Sequence, residues 1–147
     1  MRKIDYIFID SDRETCDGKP CHHGLPNFRY HFVVTSDGLV ITPTNIQYPV
    51  DLIAGPIYES DKYNRCSIAI RYCGSLRTEA WLLNLEPLPL ELAKRSALIQ
   101  LLVELRTHFP DAKILGVSEI DGKECFHKNI IVSDAMNVLR KELSDYP

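Results

Sequence analysis

The sequence predicts an α/β fold in which a mixed β-sheet of about five strands is flanked by helices. Two observations support this prediction: five short runs are rich in β-branched and aromatic residues, and two longer segments repeat apolar residues every three or four positions. The chain has 147 residues. That length is most simply one domain, residues 1–147, and it is enough for a real hydrophobic core.

The predicted strands are residues 3–9, 29–35, 39–42, 67–72 and 113–117. Between the second and third of them, Ser36-Asp37-Gly38 predicts the tight turn of a β-hairpin. Residues 11–27 and 43–63 are punctuated by glycine and proline, so they are predicted to be mainly loop.

Two helices are predicted from apolar periodicity. The first starts near Pro89, where proline suits the first turn, and ends before Pro110. Its core positions are Leu90, Ala93, Ala97, Leu98, Leu101, Leu102 and Leu105. The second covers residues 133–143, and either Ser133 or Asp134 is expected to cap it.

Composition narrows the classes of partner. The net charge is −3 and the basic residues are scattered, so we expect no nucleic acid as a partner. No apolar run reaches membrane-spanning length, so we expect no membrane partner. The five cysteines are odd in number and dispersed, and the opening residues do not resemble a signal peptide. We therefore expect a cytoplasmic or lysis-released protein with reduced thiols.

Two strongly β-like runs end in groups that can bind metals. The first run ends at Asp10, and the second leads through Gly116 to Lys123 and Cys125. If both strands belong to one sheet, their ends can bring Asp10 and Cys125 to the same edge. The sequence therefore predicts either a metal site at that edge or the remains of one.

Five pieces of sequence carry a resemblance to a known family. They are KIDYIFI at residues 3–9, YHFVVTSDGLV at 30–40, N-x-x-S-I-x-I-x-x-x-G at 64–74, LRTHFPDAKILG at 105–116 and K-x-C at 123–125. In this order and spacing, the chain resembles the zinc-dependent N-acetylmuramoyl-L-alanine amidases. That group includes phage-type lysozyme amidases and the peptidoglycan recognition proteins. The resemblance covers nearly the whole chain and implies the fold of that family.

The resemblance implies a specific chemistry on the bacterial cell wall. In the family, two histidines and one cysteine hold a zinc ion whose fourth position is open for water. The zinc activates that water and polarises the amide between the lactyl group of muramic acid and L-alanine. A nearby tyrosine or lysine helps the tetrahedral intermediate to form.

This chain departs from the family at the zinc ligands. Asp10 stands where the first histidine belongs, and Val117 stands where the second belongs, eight residues before Cys125. Cys125 matches the third ligand, while Tyr30 and Lys123 match the two helper residues. Valine cannot bind a metal, so we expect no zinc and an impaired or inactive enzyme. The expected role of such a pseudoenzyme is binding peptidoglycan fragments, the muramyl peptides.

Two alternatives remain open. Asp10, Cys125 and His127 could form a remodelled zinc site, which would make the chain an active amidase. Alternatively, the fold could serve as a protein-interaction module, which predicts a contiguous apolar surface. If the chain is a muramyl-peptide-binding pseudoenzyme or an active amidase, its binding groove includes Asp10, Val117 and Glu119.

Three further features bear on the choice between these hypotheses. Glu119 supplies a carboxylate near the proposed edge, but without a metal or a defined partner the sequence does not assign it the role of general base. His31 follows Tyr30 and should point to the opposite face, as a hydrogen-bonded core histidine. Cys16, Cys21, His22 and His23 lie close together in sequence, but their spacing matches no standard zinc pattern, so a polar loop is expected.

Overall fold

The computed structural model describes residues 2–11, 15–16, 19–20, 27–51, 60–74, 85–86, 88–119 and 130–146. Within these residues the strands are β1 (Tyr6–Ser11), β2 (Thr15–Cys16), β3 (Lys19–Pro20), β4 (Phe32–Val34), β5 (Val40–Ile41), β6 (Ser67–Tyr72) and β7 (Lys113–Gly116). The α-helices are α1 (Ser60–Arg65), α2 (Pro89–His108) and α3 (Ile130–Ser144). Two 3₁₀ turns in the same described residues cover Asn27–Arg29 and Val117–Glu119.

Five of these strands form one mixed sheet in the order β5-β4-β6-β1-β7. Strand β1 runs parallel to both β6 and β7, and β4 runs parallel to β6. Strand β5 returns antiparallel to β4 through the turn at Gly38, as the sequence predicted. The two-residue strands β2 and β3 pair separately. The predicted α/β architecture, a sheet of about five strands with helices, is therefore confirmed.

The main core lies on the sheet face that α2 and α3 cover. Ile7, Ile9, Ile68 and Ile70 pack there against helix residues such as Leu98, Leu102, Met136 and Leu139. Successive strand residues point to opposite faces, so Phe8 and Ala69 lie on the other face. A smaller buried cluster forms there, consisting of Phe8, Tyr30, Val33, Val50, Ala69 and Val117. It is this smaller cluster that borders the candidate site.

Element boundaries agree with the prediction for β6 and α2 and differ for the two other helices. Helix α3 begins at Ile130, so Ser133 and Asp134 lie inside it and the predicted cap is wrong. Helix α1, Ser60–Arg65, falls partly in a segment predicted to be loop. Its six residues contain no apolar repeat that could have indicated a helix. Within the described part of the chain, no helix has the length and apolar character needed to cross a membrane.

Candidate functional site

The candidate site lies at the carboxyl ends of the parallel strands. Ile9 of β1 is paired with Gly116 of β7, so the residues that follow, Asp10 and Val117, stand at the same edge of the sheet. In α/β sheets this edge is the usual place for ligands. The two positions that the resemblance assigns to histidine ligands are thus neighbours in the fold.

Asp10 is a buried carboxylate with a defined hydrogen-bond donor. The Tyr30 hydroxyl donates to Asp10 Oδ2 at 2.7 Å. Asp10 is 4% exposed and Tyr30 is 1% exposed. A carboxylate removed from water is destabilising unless a hydrogen bond compensates, and a hydroxyl donor to an ionised oxygen gives a strong one. The structure therefore joins two of the predicted site residues directly.

Val117 is buried in the same apolar cluster as Tyr30. It is 1% exposed, and Phe8 and Ala69 also belong to that cluster. Its side chain is aliphatic and enclosed by other apolar groups, so this position contributes packing and has no atom that can bind a metal.

Glu119 is held by an arginine of α3. Its Oε1 and Oε2 accept hydrogen bonds from Arg140 Nη1 and Nη2 at 2.8 and 3.0 Å. Oε1 also accepts from the Gly116 backbone N–H at 2.9 Å. Arg140 Nη1 donates in addition to the Ile114 carbonyl. This bidentate pair fastens α3 to the end of β7, which gives Glu119 a structural role. That Glu119 also borders a ligand groove stays a prediction.

The other predicted site residues fall outside the described part of the chain. Lys123, Cys125 and His127 are among them, as are Cys21, His22 and His23. Over the residues that the structure describes, no group of three or more His, Cys, Asp or Glu side chains could hold a metal ion.

The sequence analysis did not single out two further arginines, and one of them, Arg71, belongs to this edge. Arg71 of β6 is the parallel neighbour of Asp10 on β1, and it donates to Asn27 Oδ1 at 2.8 Å. Arg29 donates to the Asp51 carbonyl at 3.0 Å. Both arginines are partly exposed. Directly paired residues of parallel strands share a face, so Arg71 brings positive charge to the side of the sheet where Asp10 lies.

His31 lies in a separate polar cluster with Arg2. Its Nδ1 accepts from the Ala69 backbone N–H at 2.9 Å, and Nε2 lies 2.7 Å from the Tyr48 carbonyl. Because Nδ1 must be unprotonated, the ring is the neutral tautomer that donates from Nε2. Burial lowers the pKa of His31, the bond to Tyr48 opposes that effect, and the positive charge of Arg2 lowers the pKa further. The interpretation of His31 as a hydrogen-bonded core histidine is confirmed.

The fold and site together define an α/β protein whose sheet carries a buried aspartate–tyrosine pair at its carboxyl edge. Comparisons with protein-family models and with curated proteins found no match to this chain. The link to the amidases therefore depends on the sequence pieces quoted above.

Proposed function

We propose that this chain is an N-acetylmuramoyl-L-alanine amidase-like pseudoenzyme that binds muramyl peptides without cleaving them. The observation that supports this most is the bond between Tyr30 and Asp10. In the resemblance, these positions belong to a helper tyrosine and to the first zinc ligand. In this chain the two side chains are hydrogen-bonded to each other, and both are buried.

The chemistry of the pair argues against a family-type zinc centre. A zinc ion bound to Asp10 would compete with the Tyr30 hydroxyl for the carboxylate. Val117 supplies no replacement donor, which leaves Cys125 as the one family ligand that the sequence retains. Catalytic zinc sites normally use three protein ligands and an open position, so this donor set is too small.

The rim of the same edge suits a muramyl peptide. Such ligands carry carboxylates and amides, and guanidinium groups bind carboxylates through paired hydrogen bonds. Arg71 stands beside Asp10 and is only half-buried, which allows it to reach a ligand above the strand ends. In this proposal, binding uses Arg71 and the polar edge, and it needs no metal.

Metal analysis with a peptidoglycan digestion assay tests the loss of catalysis. We expect substoichiometric zinc and no amide cleavage for the wild type. The variant Asp10→His/Val117→His restores the family ligand set with Cys125, and we expect it to bind zinc in about equimolar amount if it folds. Stoichiometric zinc together with cleavage by the wild type would overturn the proposal. If the variant Cys125→Ala then lost both zinc binding and cleavage, the active site would be the remodelled set of Asp10, Cys125 and His127.

Calorimetric titration with a MurNAc-tripeptide tests the binding function. We expect Arg71→Gln to weaken binding by about tenfold, the usual effect of losing one charged contact at an interface. Arg95→Gln is the matched control, because Arg95 lies on α2 and pairs with Glu142. No binding by the wild type, or equal losses in both variants, would contradict the proposal.

A further inference from the structure

Large exposed apolar side chains concentrate in two segments of the described chain. Leu39 in the hairpin is 63% exposed, and Val40 next to it is 40% exposed. At the start of α2, Leu88 and Leu90 are 65% and 62% exposed, and Leu92 is 45% exposed. Single exposed leucines are ordinary, whereas a cluster of this kind marks an interaction surface.

The two segments meet at the hairpin turn. A Cβ atom placed on Gly38 would lie 2.8 Å from the Cβ of Ala93, so the turn rests directly on the second turn of α2. Val40 is paired with Val34, which packs in the core beneath α2, so Val40 belongs to the same side of the sheet. The exposed residues of both segments therefore lie around the contact between Gly38 and Ala93, and we call them the hairpin–α2 surface, which consists of Leu39, Val40, Leu88, Leu90 and Leu92.

This surface continues along α2 as an open groove. The groove has a volume of about 550 Å³, and Leu92, Ile99 and Val103 are among the residues that line it. These apolar positions are seven and four residues apart, which places them on one stripe of the helix. Ile99 is 3% exposed and belongs to the main core, so a partner helix that lies along α2 would cover mainly Leu92 and Val103 of this stripe.

The charged residues in the two segments of the hairpin–α2 surface are acidic. Residues 32–51 and 85–93 contain Asp37, Asp51, Glu86 and Glu91, with no lysine or arginine. Of the next two residues, which are both basic, Lys94 is 8% exposed and donates to the Cys73 carbonyl. Arg95 lines the groove, but it pairs with Glu142, so the two residues add little net positive charge to the surface. A second copy of this chain would bring the same acidic groups, and like charges facing one another oppose association.

We propose that the hairpin–α2 surface binds a cationic amphipathic helix of a partner protein. The apolar face of the partner helix covers the leucines, and the lysines or arginines of that helix face Asp37, Glu86 and Glu91. This surface is distinct from the proposed muramyl-peptide site, because Tyr30 and Val117 pack on the sheet face opposite α2. The two proposals can therefore fail independently.

Fluorescence anisotropy with two designed peptides tests this inference on the full chain. Both peptides carry the same leucines on one helical face, and their polar positions are all lysine in one and all glutamate in the other. We expect the lysine peptide to bind and the glutamate peptide not to bind. Leu39→Ser/Leu90→Ser and Asp37→Asn/Glu86→Gln should each weaken binding by about tenfold. All four substituted residues are exposed, so the variants should fold.

Matched controls separate a specific surface from general attraction to an acidic protein. Asp111→Asn removes an exposed acid beyond the C-terminal end of α2, and the helix from Glu91 to His108 spans about 25 Å. It should leave binding unchanged. Equal weakening by Asp111→Asn, or binding of both peptides, would overturn the proposal. So would a dimer in sedimentation velocity that Leu39→Ser/Leu90→Ser makes monomeric, because the occupant would then be a second copy.

Discussion

Asp10 illustrates how a hydrogen-bond donor helps to stabilise a buried carboxylate. Removing the hydroxyl in Tyr30→Phe leaves Oδ2 without that hydrogen bond, while the ring can still pack in its cluster. We expect the free energy of unfolding to fall by about 1–3 kcal/mol, the cost of losing a hydrogen bond to a buried group. Urea denaturation followed by circular dichroism measures it. Tyr48→Phe is the control, because Tyr48 is 58% exposed and should change stability little. Equal stability of Tyr30→Phe and the wild type would contradict this account.

His31 makes stability depend on pH. Its pKa in the folded protein is lowered, mainly by burial, so below about pH 6.5 the unfolded chain binds a proton that the folded protein does not. Stability should therefore fall as the pH decreases from about 6.5 towards the folded pKa, by at most about 1.4 kcal/mol per pH unit for one proton.

Urea titrations at several pH values between 7.5 and 5.5 measure this slope. His31→Gln cannot titrate, so its slope should be flatter than that of the wild type. His108→Gln changes an exposed histidine and should keep the wild-type slope. An identical pH dependence in the wild type and His31→Gln would exclude His31 as the cause.

The residue types at the candidate site were predictable, but the contacts between distant residues were not. The positions of Asp10, Tyr30 and Val117 follow from ordered sequence pieces and from strand ends. Arg2 and His31 are 29 residues apart, and Arg140 and Glu119 are 21 apart. No short-range pattern links residues at such separations, since the fold alone brings them together.

At the scale of elements, the hairpin turn connects the sheet to α2. Gly38 has a φ of +82°, which side chains with a Cβ rarely adopt, and a Cβ there would collide with Ala93. We expect Gly38→Ala to lower the free energy of unfolding by more than about 1 kcal/mol, because strain and collision add. Thermal denaturation measures it. Ser36→Ala in the same exposed turn is the control and should change little. A Gly38→Ala variant as stable as Ser36→Ala would show that the turn moves away from α2 without cost.

Elements with a strong repeat were predictable, and elements without one were not. Helix α2 repeats apolar residues every three or four positions, starts at a proline and ends before another, so its limits could be predicted closely. Two of its predicted core positions, Leu90 and Ala93, are nevertheless exposed, because they lie in the first turns of the helix. Helix α1 is too short for a repeat. Helix α3 opens with Ile130-Ile131-Val132, β-branched residues that do not favour a helix start, so the sequence pattern predicts its beginning at the later polar residues.

At the scale of the whole molecule, the sheet separates two surfaces of different character. Helices α2 and α3 cover one face, and the exposed leucines and acidic residues lie at its hairpin end. The other face ends in the buried pair of Asp10 and Tyr30 with Arg71 beside it. The proposed cationic helix suits the hairpin–α2 surface, and the proposed anionic, amide-rich ligand suits the edge that carries Arg71. The two proposed ligands therefore need not compete.

Arg2 ties distant segments of the molecule together. Its guanidinium donates to the carbonyls of Ile46, Arg65 and Ser67 at 2.9, 3.0 and 2.7 Å, and Nη2 lies 3.1 Å from His31 Nε2. These contacts join the segment after β5, the end of α1 and the start of β6.

A lysine cannot reproduce the planar set of donors that Arg2 supplies. We expect Arg2→Lys to lower the free energy of unfolding by about 1–3 kcal/mol, because at least one partly buried carbonyl loses its donor. Lys3→Ala is the matched control: Lys3 is 84% exposed, and its ion pair with Asp5 is 3.6 Å long. Such surface pairs contribute little. Urea denaturation of both variants measures the difference. If Arg2→Lys were no less stable than Lys3→Ala, the guanidinium would not be needed to stabilise the packing of the three segments. The apolar core alone would then account for that packing.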